Sequence, residues 1–220
     1  LQDLQAASSI YTQNFTKAQY KYGAVFGQLN YNLDSKYIVN LTARRDGSSR
    51  FGPENQFANF ASIGGAWIFS RERFISDHIP FISLGKLRGS YGSTGSDQIA
   101  DYGFLDLYNT TRNPYQNTQG VYPRNLFNPA LSWELTRKLE GSIDLGFLKE
   151  RINLSASFFQ NRSSRQLLGF KLSDVTGFSS INENFPATIQ NSGLELVLNT
   201  GNISTNNFTW STTFNLTLPH

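Results

Sequence analysis

The chain has no cysteine and no methionine among its 220 residues, and only two histidines, His78 and His220. Without cysteine there is no disulfide framework, no thiol chemistry and no zinc–thiolate site. Two histidines leave neither a histidine-rich metal site nor a catalytic triad with a choice of base. No run approaches 18 consecutive apolar residues, which excludes a transmembrane helix. No basic-then-apolar secretion leader stands at the start. The balance of Lys+Arg 19 against Asp+Glu 16 is too small and too dispersed to make a nucleic-acid surface. Hydrophobic residues reach only 39%, little for a β protein that must fill a two-sided core. Starting at Leu1 and lacking Met, the chain reads as a piece of a longer polypeptide.

What it has instead is glycine and aromatics: Gly 18, Phe 18 and Tyr 10. A membrane β-barrel combines a polar lumen with a thin apolar outer band, so it can be aromatic-rich and only modestly hydrophobic. The local pattern agrees. Val25, Leu29, Tyr31 and Leu33 alternate with Gln28, Asn30 and Asn32, and Tyr37, Val39, Leu41 and Ala43 with Asn40, Thr42 and Arg44. Ile63, Trp67 and Phe69, then Leu87 and Tyr91, continue the pattern. Leu139, Ile143, Leu145 and Phe147 face away from Lys138, Glu140, Ser142 and Asp144, and Ile152, Leu154, Ala156 and Phe158 from Asn153, Ser155 and Ser157. This period of two is that of strands with one apolar and one polar face. Further strands are expected near 167–171, 194–198 and 208–218, about nine in all, with Leu1 to Lys21 as loop (with room for one helical turn near Leu4), a helical turn near Arg71–Phe74, 96–130 as a large loop, and a Gly/Ser/Asn loop running to about Ile189.

Strands of roughly ten residues rise about 33 Å, enough when tilted to cross an apolar band about 25 Å tall. Connections at Asp34-Ser35, Lys149-Glu150 and 201–207 are short, whereas those after Asp46, Gly95 and Asn161 are long. Short periplasmic turns opposite long extracellular loops are the habit of outer-membrane barrels, although the 70–83 connection is long for a turn. Tyr31, Tyr37, Trp67, Phe69, Phe147, Phe208 and Trp210 all fall on the apolar face near the short turns. An interfacial aromatic girdle belongs there.

Catalytic constellations are absent from the pattern. Glu140 and Asp144 share a face, but four residues along a strand is about 13 Å, beyond the roughly 5–9.5 Å that paired glycosidase carboxylates use. Gly92-Ser93-Thr94-Gly95 lacks the Gly-Lys-Ser/Thr of a P-loop. Asp97, Asp101 and Asp106 lack EF-hand spacing. No enzyme, cofactor or metal site is expected. The long loops carry Tyr102, Tyr108, Asn109, Tyr115 and Tyr122, rings and an amide suited to stacking on sugars or peptide groups.

One stretch is distinctive in wording. Leu41 to Gly52 runs from strand alternation into the turn residues Asp46-Gly47 and Gly52-Pro53. Its Arg44-to-Pro53 part resembles the RRDGSSRFGP segment of SusC/RagA-type TonB-dependent outer-membrane transporters. Leu87 to Gly95 is similar to that family's LRASYGxTG strand, Asn128 to Glu134 to NPxLxWE, and Gln190 to Leu196 to NxGxExEL. The resemblance implies an all-β antiparallel meander, one section of a 22-stranded barrel domain, with residues 1–220 lying between a plug and a closing strand that the sequence does not contain. It implies import of oligosaccharides or peptides across a Gram-negative outer membrane, powered through TonB, beneath a SusD-like surface lipoprotein. The runner-up is a soluble β-rich glycan-binding or adhesion module.

The barrel reading carries sharp expectations. Arg45 should face outward towards lipid headgroups while Arg44 points into the lumen. Asn40, Thr42, Ser90, Glu140, Asp144, Ser155 and Asn215 should share the concave face, and Val39, Leu41, Trp67, Leu139, Ile143, Leu154 and Trp210 the convex one. Both edges, at 25–33 and 208–218, should be left open. Two sheets packed face to face around Trp67 and Ile143 would favour the soluble module instead.

Overall fold

The computed structural model describes residues 17–111, 115–116, 118–178 and 180–220. Eight strands form one antiparallel sheet: β1 (Tyr22–Leu33), β2 (Tyr37–Ser48), β3 (Phe57–Trp67), β4 (Ile82–Ser96), β7 (Glu134–Phe147), β8 (Ile152–Lys171), β9 (Ser180–Ser204) and β10 (Thr209–Pro219). Their spatial order follows the chain, β1-β2-β3-β4-β7-β8-β9-β10, so the sheet is a meander. β5 (Tyr108–Thr110) and β6 (Val121–Pro123) pair with each other in a separate hairpin between β4 and β7. Of the loop expected from Leu1 to Lys21, residues 17–21 form no helix or strand, and residues 1–16, with the helical turn near Leu4, lie outside the described residues.

Pairing settles which side chains share a face, because directly opposed residues project to the same side. Leu29 opposes Leu41, Leu41 opposes Ile63, and Ile63 opposes Tyr91. Tyr91 opposes Leu139, Leu87 opposes Ile143, Ile143 opposes Ala156, and Ala156 opposes Leu196. Leu196 opposes Leu216. One apolar face thus runs unbroken across eight strands. The opposite face carries Asn40 against Gly64 and Gly64 against Ser90, then Ser90 against Glu140. Asp144 opposes Ser155, Ser155 opposes Val197, and Val197 opposes Asn215. Every residue within these paired strands that alternation assigns to the polar or the apolar face falls there, whereas Phe69 and Phe208, expected on strands, lie in the connections. A slip of one residue would have inverted a whole strand.

The apolar face is uncovered. Val25, Leu29, Ile63, Leu87, Tyr91, Leu139, Phe158, Leu194, Phe214 and Leu218 are all exposed. A single sheet with a bare apolar face does not fit the soluble sandwich, and the two-sheet packing that would favour such a module is not what the described residues form. β1 and β10 each pair on one side only.

At one end of the sheet the connections are tight. Asp34 and Ser35 both take φ 53°, the left-handed pair of a primed hairpin turn. Leu148, Lys149 and Glu150 are likewise at positive φ. The 70–83 connection holds a 3-10 turn, Phe69–Arg71, and a short helix α1, Arg73–His78, which accounts for its length. The other end carries the long connections 49–56, 97–133 and 172–179.

The structure corrects three expectations. The sheet has eight strands rather than nine: the segment near 167–171 is the end of β8, which bends at a bulge where Arg165 takes φ 55° and the register shifts between Ser164 and Gln166. The polar run Arg162 to Gln166 hides that continuity, since bulges break alternation. The supposed loop to about Ile189 is strand from Ser180 onward, paired with Gln166–Lys171. The large loop 96–130 also contains the β5–β6 hairpin.

Candidate functional site

Almost the whole sheet is thinly buried, yet one compact core exists at its long-loop end. Phe51, Phe60, Leu131 and Trp133 are each at most 8% exposed, fewer residues than a soluble domain of this length would bury. Phe51 comes from the β2–β3 loop and Phe60 from β3, while Leu131 and Trp133 come from the chain entering β7. The Trp133 ring lies 5.2 Å from Phe51, 5.9 Å edge-on from Phe60 and 6.4 Å from Tyr22. Its indole N–H donates to the Gln56 carbonyl at 3.2 Å. The far end of the 97–133 segment is thereby pinned to the sheet.

The near end is pinned by charge. Asp97 accepts from the Tyr20 hydroxyl and from Ser48 Oγ, both at 2.7 Å. Arg50 Nε donates to Asp101 at 2.8 Å and its Nη1 to the Asp97 carbonyl at 3.1 Å. The Arg50 guanidinium also stacks 4.3 Å from the Tyr20 ring centroid. Desolvation by burial, followed by the bond to Asp97, pushes the Tyr20 phenol above its ordinary pKa. The hydrogen bond to Asp101 raises the Arg50 pKa, against the opposing effect of burial. Asn184 closes the lattice: its Oδ1 accepts from Ser132 N and its Nδ2 donates to Ser132 O, both at 2.7 Å. Asn128 Nδ2 donates to the Asn182 carbonyl at 2.7 Å.

Between those anchors stands the β5–β6 hairpin. Asn109 and Tyr122 are directly opposed, and Asn109 Nδ2 reaches the Tyr122 hydroxyl at 3.5 Å. Tyr108 pairs with Pro123, and Tyr115 bridges Thr118. Tyr108, Tyr115 and Tyr122 are 57%, 78% and 50% exposed. Four of the five sequence-predicted loop residues therefore gather on one projecting unit. Tyr102 does not join them: it sits at the base with φ 61°, its hydroxyl accepting from Gln19 N at 2.9 Å.

The polar face bears both signs of charge. Arg88 makes a two-pronged contact with Asp144, which also accepts from Ser155 Oγ at 2.7 Å. Arg44 is bonded to Asp46 and to the Tyr22 hydroxyl. Arg45 lies on the apolar face, opposite Val25, with its guanidinium 5.1 Å from the Phe57 ring centroid. The expected split between the two arginines is what the register gives.

All seven aromatics assigned to a girdle stand at the turn end. Tyr37 opposes Trp67, Trp67 meets Phe69 edge-on at 5.7 Å, and the Phe69 ring lies over Gly85. Phe147 stacks on Phe81 at 6.3 Å. Tyr31 opposes Val39, Trp210 opposes Ile203, and Phe208 closes the last turn. Sequence reasoning missed Phe81 and Glu72. The Glu72 carboxylate accepts from Tyr37 Oη at 2.8 Å, from Lys36 Nζ at 3.0 Å and from Trp67 Nε1 at 3.4 Å. Lys36 first, then Tyr37, hold it below the ordinary carboxylate pKa.

Comparison with known proteins bears on both ends. Residues 2–218 match the family model described as TonB dependent receptor-like, beta-barrel. The chain is 35% identical to TonB-dependent receptor P39 of Formosa agariphila over 87% of its length, covering 18% of that protein. It is 32% identical to TonB-dependent receptor SusC of Bacteroides thetaiotaomicron over 89% of its length, covering 20% of that protein. Among solved structures, the RagAB peptide transporter superposes on 91% of the chain with a TM-score of 0.80 at 27% identity, using 22% of the transporter chain. The chain thus spans about a fifth of the length of these relatives.

Proposed function

The chain belongs to the TonB-dependent receptor β-barrel family, in its SusC/RagA branch, and we propose that it forms one wall section of a Gram-negative outer-membrane importer. The observation that carries this reading is the continuous two-faced register. One face is bare and apolar across eight strands, the other polar, as a barrel wall between lipid and lumen requires. The twelve residues of β2 rise about 40 Å, ample for a tilted crossing. A barrel of about 22 strands needs only low curvature per strand, and these eight would cover a minor arc of it.

In this reading the turn end faces the periplasm, with the aromatics from Tyr31 to Trp210 in the headgroup zone. The long-loop end faces outward, and the β5–β6 hairpin offers Tyr108, Asn109, Tyr115 and Tyr122 to a ligand. The cargo is an oligosaccharide or a peptide; the second follows the RagAB likeness. A SusD-like lipoprotein covers the outer side and a TonB complex supplies the energy through another part of the protein. The section itself binds and guides, with no catalytic step.

Alternating cysteines in the full-length protein test the wall assignment. Thr42→Cys and Ser90→Cys should react with a hydrophilic maleimide in intact outer membranes. Leu41→Cys and Tyr91→Cys should resist it and react with a bilayer-soluble reagent. Equal hydrophilic labelling at all four sites would refute a lipid-facing wall.

A further inference from the structure

Charge on the apolar face is sparse, and one-signed from the turn end up to the bulge at Arg165. Over that part of the paired register the residues that share the face of Leu41 and Ile143 include three charged side chains, Arg45, Arg137 and Arg162, and no acid; beyond the bulge Glu183 opposes Leu168. Each arginine lies towards the long-loop end of its strand's apolar row, with Leu135 still beyond Arg137 and the Arg165 bulge beyond Arg162. Arg45 follows Val39, Leu41 and Ala43; Arg137 lies beyond Ile143 and Leu139; Arg162 lies beyond Ala156, Phe158 and Gln160. All three are exposed. The other face is different in kind, because Arg44 and Arg88 there are each bonded to an aspartate. Among the described residues none of the three outward arginines has a carboxylate within ion-pair distance.

Two of them make the arrangement costly unless something fills it. Arg137 and Arg162 are directly opposed across β7 and β8, and like charges facing one another on one side of a sheet repel. An anion between them turns that cost into attraction. Two planar guanidinium forks match phosphate oxygens in geometry and charge, better than lysines would. At Arg45 a groove lined by Lys21, Val25 and Phe57 puts a second cation and apolar walls beside the guanidinium, which suits a phosphorylated headgroup with a hydrocarbon chain attached.

We propose that Arg45, Arg137 and Arg162 form a phosphate-binding belt on the outer wall that holds phosphorylated lipid of the leaflet on the long-loop side. The proposal rests on the lipid-facing assignment of this face. Charge at the mid-bilayer would be strongly unfavourable, but at an interface it costs little, and phosphate there neutralises the opposed pair. The belt fixes the height of the wall in the membrane from above, as the aromatic rings do from below.

The test uses purified full-length protein in neutral detergent, with phosphorylated lipid A titrated in mixed micelles and followed by native mass spectrometry. Wild type should bind it, and the R137Q/R162Q protein about tenfold more weakly, equivalent to about 1.4 kcal/mol. Dephosphorylated lipid A should bind both proteins alike, and R45Q should give a smaller loss. Inorganic phosphate that competes at equal concentration would identify a free-anion site and overturn the lipid assignment. Unchanged lipid A binding by R137Q/R162Q, in protein whose heat-modifiable gel migration is normal, would also overturn it. Failure of the underlying reading is separable, because it would appear as hydrophilic labelling of Leu41→Cys and Tyr91→Cys whatever the lipid result.

Discussion

Replacing Trp133 by alanine should free the 97–133 segment without unfolding the barrel. Its indole contacts Phe51, Phe60 and Tyr22 and donates to Gln56, and the residue is 7% exposed. Removing a buried tryptophan typically costs about 3–5 kcal/mol, whereas the single hydrogen bond is worth about 1 kcal/mol. Packing therefore dominates. The four-residue core is confined to the long-loop end, so the loss falls on the docking of that segment rather than on the strand ladder. A docking equilibrium weakened by that amount raises the undocked population roughly a hundred- to several-thousand-fold. Limited proteolysis of the full-length protein in detergent reads this directly, as faster cleavage within 97–133 at unchanged heat-modifiable migration. Trp133→Phe keeps most of the ring packing and should fall near wild type. Cleavage as slow in Trp133→Ala as in wild type would show that the core does not hold the segment.

Three further outcomes follow from other contacts. Gly85→Val should impair assembly, since a Cβ there would lie 2.2 Å from the Phe69 ring; loss of the heat-modifiable band measures it, and a normal band would mean that Phe69 can swing clear. Glu72 is held below its ordinary pKa by Lys36 and Tyr37, so its contribution is present above the unfolded-state value near 4.3 and is lost as pH falls through the lower folded value. Proteolysis of the 68–81 connection should accelerate at acid pH in wild type but be pH-insensitive in Glu72→Gln. Tyr108→Ala with Tyr122→Ala should reduce ligand uptake by the full-length protein while leaving assembly intact, and unchanged uptake would remove the hairpin from the ligand path.

The faces of the sheet were legible in the sequence wherever the strands alternate, and the reason is physical. A period of two survives wherever one face meets lipid and the other water, so Leu139 to Phe147 and Ile152 to Phe158 declare their sides without any knowledge of partners. Legibility failed where that contrast fades. Beyond Ser164 a bulge at Arg165 shifts the register, and Ser180 to Ile189 extends past the apolar rows, so neither stretch alternates cleanly. The rim core was illegible for another reason: Phe51 and Trp133 are 82 positions apart in number and 5.2 Å apart in space, and nothing local announces that they meet. Glu72 was hidden similarly, because its three donors come from a turn, a strand start and a strand end.

The motifs that carried the family resemblance prove to be packing hardware. Arg44 to Pro53 supplies Ser48, Arg50 and Phe51 to the rim, and Asn128 to Glu134 supplies Asn128, Leu131 and Trp133. In the strand from Leu87 to Gly95, Gly92 lies against Ser62 and Gly95 against the Phe60 ring, where any Cβ would collide. Gly193, within the fourth motif, lies equally close to the Phe159 ring and the Leu218 carbonyl. None of the four motifs contains Tyr108, Asn109, Tyr115 or Tyr122. A wall shared among importers of different cargo needs this division, because residues that hold the rim in register cannot vary without loosening it, whereas a hairpin anchored at both ends can change its surface freely. Recognition by motif therefore identifies the wall and, for the same physical reason, is silent about what passes through it.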